Sequence, residues 1–268
     1  MIVDPIQVKK VIRQIAKEEI LPHFQNLQSS QIHEKADGET VTSVDINTES
    51  RLSAEFNILI PDSEILGEEG FAKRPKKLEY FQDKTVWIID PLDGTHNFVS
   101  GKKCFAVIVT LICNGSIEAS WIHDPNRDIT IYAVRREGAW KNNEKIRIKR
   151  IDDTLPIEKM VGSFPKKLTD ALLKNKKRGE KGIPNLIKRY RCVGIEYMDL
   201  VEGKIQFLRY SGQLKPWDHS AGVFIYREIG GYDALLDPVT RYQPLKDNAN
   251  KTIMLCQNLE IWNKLSRL

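Results

Sequence analysis

Cysteine is scarce and scattered in this sequence, and the scarcity excludes several classes at once. Cys104, Cys113, Cys192 and Cys256 form no CxxC pair and stand at no zinc spacing with histidine, so neither a zinc site nor a dithiol motif is written here. They read as reduced core thiols of a reducing compartment, which points to the cytoplasm. Long apolar runs are missing too. No window approaches roughly 18 apolar residues, and MIVDPIQVKKVIRQ lacks the apolar stretch of a signal peptide, so a soluble protein without a membrane partner is expected. No aromatic residue interrupts the most basic segment, KKLTDALLKNKKRGEKGIPNLIKR, whose nine Lys or Arg lie between Lys166 and Arg189. Bases would find no ring to stack on, so the segment reads as a solvated face and loop, and nucleic acid is not the expected partner. The net charge of +5, from 41 basic against 36 acidic residues, reads as solubility. There is no internal repeat, no low-complexity linker, no GxSxG and no Cys–His pairing that would mark a covalent nucleophile.

What remains is a chain of 268 residues with 41% hydrophobic content, enough for one large domain or two lobes. Pro5 suits a first helical turn, and Val8, Val11, Ile12 and Ile15 recur on one face, so a first helix is expected over 5–28. Asp37-Gly38 signals a turn. Leu52, Phe56, Leu59 and Ile60 mark a second helix that stops at Pro61. From residue 85 the texture becomes β-branched (TVWIID, FAVIVTLICNG, SIEASWIH, DITIYAVRREGAW, KIRIKR), which implies an antiparallel meander with FAVIVTLI as a central strand covered on both faces. These elements make an α+β lobe over 1–150. Beyond it, short apolar runs alternate with helical patterns near 168–175, 195–202, 218–229 and 258–266, which suggests a second α/β lobe over 151–268, closely packed on the first.

The chemistry lies in carboxylates placed where elements end. In EILGEEG, Gly67 permits a sharp turn that leaves Glu68 and Glu69 at its edge. In WIIDPLDGT, Asp90 ends a buried run, Pro91 prevents continuation as a paired central strand, and Asp93 stands three residues on, able to converge with Asp90 on one point. A carboxylate at the mouth of an apolar strand is costly unless it is paired or binds a metal, and the nearest basic residues in sequence are Lys84 and Lys102. Oxygen ligands favour magnesium, manganese or calcium. A purely structural reading competes, since Asp93-Gly94 is also an ordinary turn signal. Asp218, in LKPWDHSAGVFIYREIGG, reads both as a helix cap and as a further acidic ligand; small Ala221 and Gly222 let that helix approach another backbone. Thr42-x-x-Asp45 likewise reads as a capping box at the start of the second helix. His96 and His219 border this region, whereas His23, His33 and His123 read as surface or turn residues.

GEE, DPLDGT and WD, in this order and with VTSVD upstream, resemble the motif set of the inositol monophosphatase family, within the lithium-sensitive, magnesium-dependent phosphatases. The resemblance runs from Lys35 to the helix after Asp218. It implies a layered α/β/α/β/α sugar-phosphatase-like fold, two or three Mg2+ ions with Mn2+ as a substitute, inhibition by lithium and a homodimer. It places metal ligands at Glu68, Asp90, the Leu92 carbonyl, Asp93 and Asp218, with Asp90 bridging two ions. Thr95 hydrogen-bonded to Asp45 would activate water with help from Glu68, the amides of Gly94 and Thr95 would hold phosphate, and Lys35 matches a basic residue of this lobe. The reaction implied is hydrolysis of a small phosphomonoester by direct attack of water.

For the substrate, RCVGIEYMDL resembles the family's turn and helix that meet the alcohol, which marks Gly194, Ile195 and Glu196 alongside Asp93. Ser211 stands where relatives that cleave inositol phosphates often carry a glutamate, a departure that weakens the case for inositol itself. A 3'(2'),5'-bisphosphate nucleotidase, using Lys215 or Arg209, and a histidinol-phosphate phosphatase, using Glu196, are alternatives of the same superfamily. A non-catalytic RNA- or protein-binding module on this fold is the alternative of a different class.

Overall fold

The computed structural model describes residues 3–35, 38–147 and 155–268. The expected Asp37-Gly38 turn and the boundary between the two lobes at residue 150 fall partly or wholly outside these residues. Helix α1 (Pro5–Ile15) is capped by Asp4, whose carboxylate accepts from the Ile6 amide at 2.9 Å. It does not run to residue 28 as expected: a π-helical turn (Ala16–Ile20) and a 3₁₀ turn (Leu21–His23) follow, and the helix stops there. Pro22 explains the stop, since its nitrogen cannot donate to the helical ladder. A short strand pair, β1 (Ile32–Glu34) and β2 (Thr40–Thr42), leads into α2 (Ser43–Leu59), which ends two residues before Pro61.

Strand β3 (Glu64–Gly67), helix α3 (Glu68–Lys73), β4 (Thr85–Asp93), helix α4 (Thr95–Val99) and strands β5 (Ala106–Cys113), β6 (Ser116–Asp124), β7 (Ile129–Val134), β8 (Gly138–Lys141) and β9 (Glu144–Ile146) complete the first half. The seven strands form one sheet in sequence order; β4 to β9 are the expected antiparallel meander, and β3 lies parallel to β4. β5 is buried over nearly its whole length, as an apolar central strand requires. One expectation is corrected at Pro91. β4 continues through it to Asp93, because the β3 pairing has already ended at Ile89 and the β5 register breaks between Asp90 and Asp93. A missing N–H is tolerated at such an irregularity.

The second half holds β10 (Val161–Ser163), α5 (Lys166–Lys177), β11 (Asn185–Leu186), α6 (Val193–Val201), β12 (Phe207–Gly212), α7 (Pro216–Glu228), β13 (Tyr232–Leu236), β14 (Val239–Thr240), β15 (Lys251–Cys256) and α8 (Leu259–Ser266). Its six strands form a mixed sheet in the order β11-β10-β12-β15-β13-β14.

Strand periodicity then sorts the apolar residues into three cores. Trp87 and Ile89 of β4 join Val8, Ile12, Leu52 and Phe56 of α1 and α2, with Phe56 stacked on Trp87 at 4.3 Å. Val86 and Ile88, on the opposite face, join Met198, Ala221 and Ile225 of α6 and α7 and Leu208 and Leu255 of the second sheet. Phe164, Leu172, Phe207, Met254 and Trp262 fill the space under α5 and α8. The layers are therefore α1/α2, first sheet, α6/α7, second sheet, α5/α8, the expected α/β/α/β/α order.

Candidate active site

The DPLDGT turn is held by its own polar atoms. The Leu92 amide donates to Asp90 Oδ1 at 3.1 Å, and the Thr95 hydroxyl lies 2.9 Å from the Leu92 carbonyl and 2.8 Å from Asp45 Oδ1. Gly94 has φ +88°, and a Cβ there would stand 2.9 Å from the Cys104 carbonyl, so geometry and space both demand glycine. Asp93 faces the start of α6: Gly194 N donates to its Oδ2 at 2.6 Å, Val193 N to Oδ1 at 3.1 Å and the Cys192 thiol to Oδ2 at 3.0 Å.

Asp45 makes both sets of contacts that the sequence allowed it, the helix cap and the bond to Thr95. Its Oδ2 accepts from the Thr42 amide at 2.8 Å and the Thr42 hydroxyl at 2.5 Å, completing the capping box of α2, while Oδ1 accepts from Thr95. Burial pushes its pKa up to about 6, against the opposing pull of the Thr42 and Thr95 hydrogen bonds.

Glu68 opens α3, and the device that fixes this helix end was not legible beforehand. Buried Glu49 of α2 accepts from the amides of Glu69 (2.8 Å) and Gly70 (2.7 Å). A Cβ on Gly67 would stand 2.3 Å from Glu49 Cδ, so the glycine is the gap through which that carboxylate reaches. Lys35 donates to Glu68 at 2.8 Å and pairs with Glu69 at 2.7 Å. Burial drives the Glu69 pKa up to about 7, the Lys35 bond opposing it.

Asp218 lies in the first turn of α7, behind Pro216, and looks across a cleft of about 350 Å³. Glu68, Asp90, Leu92, Asp93, Gly94, Thr95 and His96 line the same cleft, as do Lys215, beside Asp218, and Arg191, which only the tertiary fold brings there. Burial, followed by repulsion from Glu68 and Asp93, holds Asp218 well above the usual carboxylate range; Asp90 is raised by burial, then by Glu68, Asp93 and Asp218.

A sequence model of the inositol monophosphatase family matches residues 4–247. The chain belongs to the inositol monophosphatase family. It is 31% identical over 194 residues to a fructose-1,6-bisphosphatase/inositol-1-monophosphatase of Thermotoga maritima, covering 71% of this chain and 69% of that one. It is 32% identical over 229 residues to the Nus factor SuhB of Vibrio cholerae (80% and 79% covered). Among solved structures it superposes on the Thermotoga maritima IMPase with a TM-score of 0.77 at 22% identity, over 97% of this chain and 93% of that one. The fold is that of the inositol monophosphatases.

Within this family fold, Glu68, Asp90, Asp93 and Asp218 supply only oxygen donors, which suits a hard divalent cation, and their mutual repulsion is a cost that a cation would relieve. As placed they do not close into a cage. Glu68 is turned to Lys35 and Asp93 to the α6 amides, so among the described residues these carboxylates line one cleft without yet being drawn around one point.

Of the expected alcohol-binding residues, Asp93 lines the cleft, whereas Gly194, Ile195, Glu196 and Ser211 are not among its lining residues. Glu196 is buried in an ion pair with Arg189 at 2.9 Å and also accepts from Tyr190 N (2.7 Å) and Tyr210 (2.8 Å). Ser211 is exposed on β12, where its hydroxyl pairs with that of Thr252 at 2.8 Å, and neither residue lines the cleft. Ile195 is buried, and Gly194 meets Asp93 through its amide. Arg209 lies under the Phe164 ring at 5.8 Å, away from the cleft. His123 is not a surface residue: it is buried against Thr130 at 3.0 Å, because its position on β6 points inward. His219 is buried on Tyr197 at 3.1 Å.

Proposed function

We propose that the chain is a metal-dependent phosphomonoesterase that cleaves a small alcohol or sugar phosphate by direct attack of water. The observation that carries the proposal is the convergence of carboxylates from α3, β4 and α7 on one cleft that also contains Gly94 and Thr95. Glu68, Asp90, the Leu92 carbonyl, Asp93 and Asp218 would hold two or three magnesium ions, with manganese as a substitute. When bound, such ions neutralise phosphoryl charge and acidify water. The protein's own part is proton handling. Thr95 Oγ1, donating to Asp45, keeps its lone pairs for a water; the water proton passes to Oγ1 as the Thr95 proton passes to Asp45. A carboxylate pushed up to about 6 is suited to accept it near neutral pH. Gly94 and Thr95 amides, at the start of α4, would hold the phosphoryl oxygens. Inhibition by lithium and a homodimer belong to the same proposal.

The buried Glu196 and exposed Ser211 favour a substrate other than a free-polyol ester such as inositol phosphate. The Nus factor relatives, together with the exposed basic helix α5, support a second reading as a non-catalytic binding protein on this fold. A panel of inositol 1-phosphate, 3'-phosphoadenosine 5'-phosphate, histidinol phosphate and fructose 1,6-bisphosphate, assayed for phosphate release with magnesium, separates these readings. Release from one ester well above the others names the substrate; none from any, in folded protein, leaves the binding reading.

A further inference from the structure

A second cavity, of about 340 Å³, adjoins the acidic cleft and shares Glu39, Glu68 and Lys215 with it. Its inner wall is apolar: Phe71, Pro75, Leu78, Leu214, Pro216 and Trp217, with the Phe71 and Trp217 rings 5.2 Å apart and inclined at 56°. The charged groups around it are largely engaged, and Gln213 completes the rim. Lys35 pairs with Glu68 and Glu69, and Lys215 with both Glu39 oxygens at 2.9 Å. Asp247 accepts from the Ala249 amide at 2.8 Å, and the Asn248 amide group donates to the Gln243 and Lys246 carbonyls. The indole Nε1 of Trp217 is buried and has no hydrogen-bond partner among the described residues.

Such a wall recognises by shape and apolar contact. A polyol would leave most of its hydroxyls unmatched against this apolar wall, and a second phosphate would find both rim lysines neutralised. A planar ring, in contrast, would lie against Phe71 and Trp217 and exclude water, and the volume is that of a small-ligand pocket. We propose that this cavity holds a planar, uncharged ring of the phosphomonoester's alcohol, so that ring-bearing phosphate esters are the preferred substrate class. The proposal rests on the phosphatase reading for the phosphate end and on the cavity for the ring.

Binding and turnover separate the two. Calorimetry with magnesium present compares 2-phenylethylphosphonate with n-propylphosphonate, neither of which can be hydrolysed. The wild-type protein is expected to bind the ring compound about tenfold more tightly, the effect of burying one ring. Ala72→Trp, at an exposed position of α3 that lines the cavity, fills it and should shrink the difference to about twofold or less; Leu78→Gln, which makes the wall polar, should act in the same direction. Equal affinities in the wild type, no binding of either compound, or a preference that survives both variants would overturn the proposal. Selective binding of the phosphonate, with no magnesium-dependent release from 2-phenylethyl phosphate, would retain the cavity assignment and sink the phosphatase reading alone.

Discussion

Asp45 fixes the Thr42 amide with one oxygen and the Thr95 hydroxyl with the other, so one side chain joins the start of α2 to the DPLDGT turn. Thr95→Val keeps the shape and removes the hydroxyl; kcat should fall about 100-fold with little change in melting temperature, read by steady-state kinetics beside calorimetry. Asp93→Asn should abolish turnover, because the charge is gone; its one amide oxygen can still accept from Gly194 but leaves the Val193 amide facing an NH2, so the variant should fold with a loss of about 1–3 kcal/mol. Near-normal activity in that variant would refute the ligand assignment. His123 carries a pH prediction. Burial lowers its pKa to about 4 from the ordinary 6.5, so the unfolded chain takes the proton more readily. Its contribution to stability is therefore present above pH 6.5 and lost as the pH falls from there towards 4, reaching about 2 kcal/mol at pH 5. Urea melts at pH 7 and pH 5 should show that loss reduced in His123→Asn by a similar amount.

At the scale of elements, the site depends on one helix end and one helix crossing, each set by a neighbour distant in sequence. Glu49 caps the first turn of α3, and Glu49→Ala should cost about 1–2 kcal/mol and raise the magnesium concentration needed for half-maximal activity. Gly222 lets α7 meet α6: a Cβ there would stand 2.1 Å from the Tyr197 ring. Gly222→Ala should destabilise by about 1–3 kcal/mol in denaturant titrations, as overpacking of a filled core does. The small residues after WD foretold the close approach, but not its partner. The elements themselves were largely legible, since apolar spacing marks α2, α7 and the β4–β9 meander directly. α1 departed from expectation for a local cause at Pro22, and β4 because its pairing with β3 and β5 lapses around Pro91.

For the whole molecule, the order of layers follows from β4, whose alternate residues face different helix pairs, and the family motifs carried the rest. The acidic residues were legible because turns and caps display them. Lys215 was legible only as a candidate for a second phosphate, and Arg191 and Glu49 were not legible, because each reaches the site from a segment whose local pattern says nothing of its neighbours. The substrate wall was legible least: Glu196 reads as a free carboxylate in sequence and is buried on Arg189 in the fold. Magnesium-dependent phosphate release, measured side by side for the wild type and Asp90→Asn on a responsive ester, tests the central claim most directly. The account predicts release that chelation stops and magnesium restores, and a loss of at least about 100-fold in the variant. Folded wild-type protein that releases no phosphate with magnesium or manganese, or an Asp90→Asn variant as active as the wild type, would contradict it.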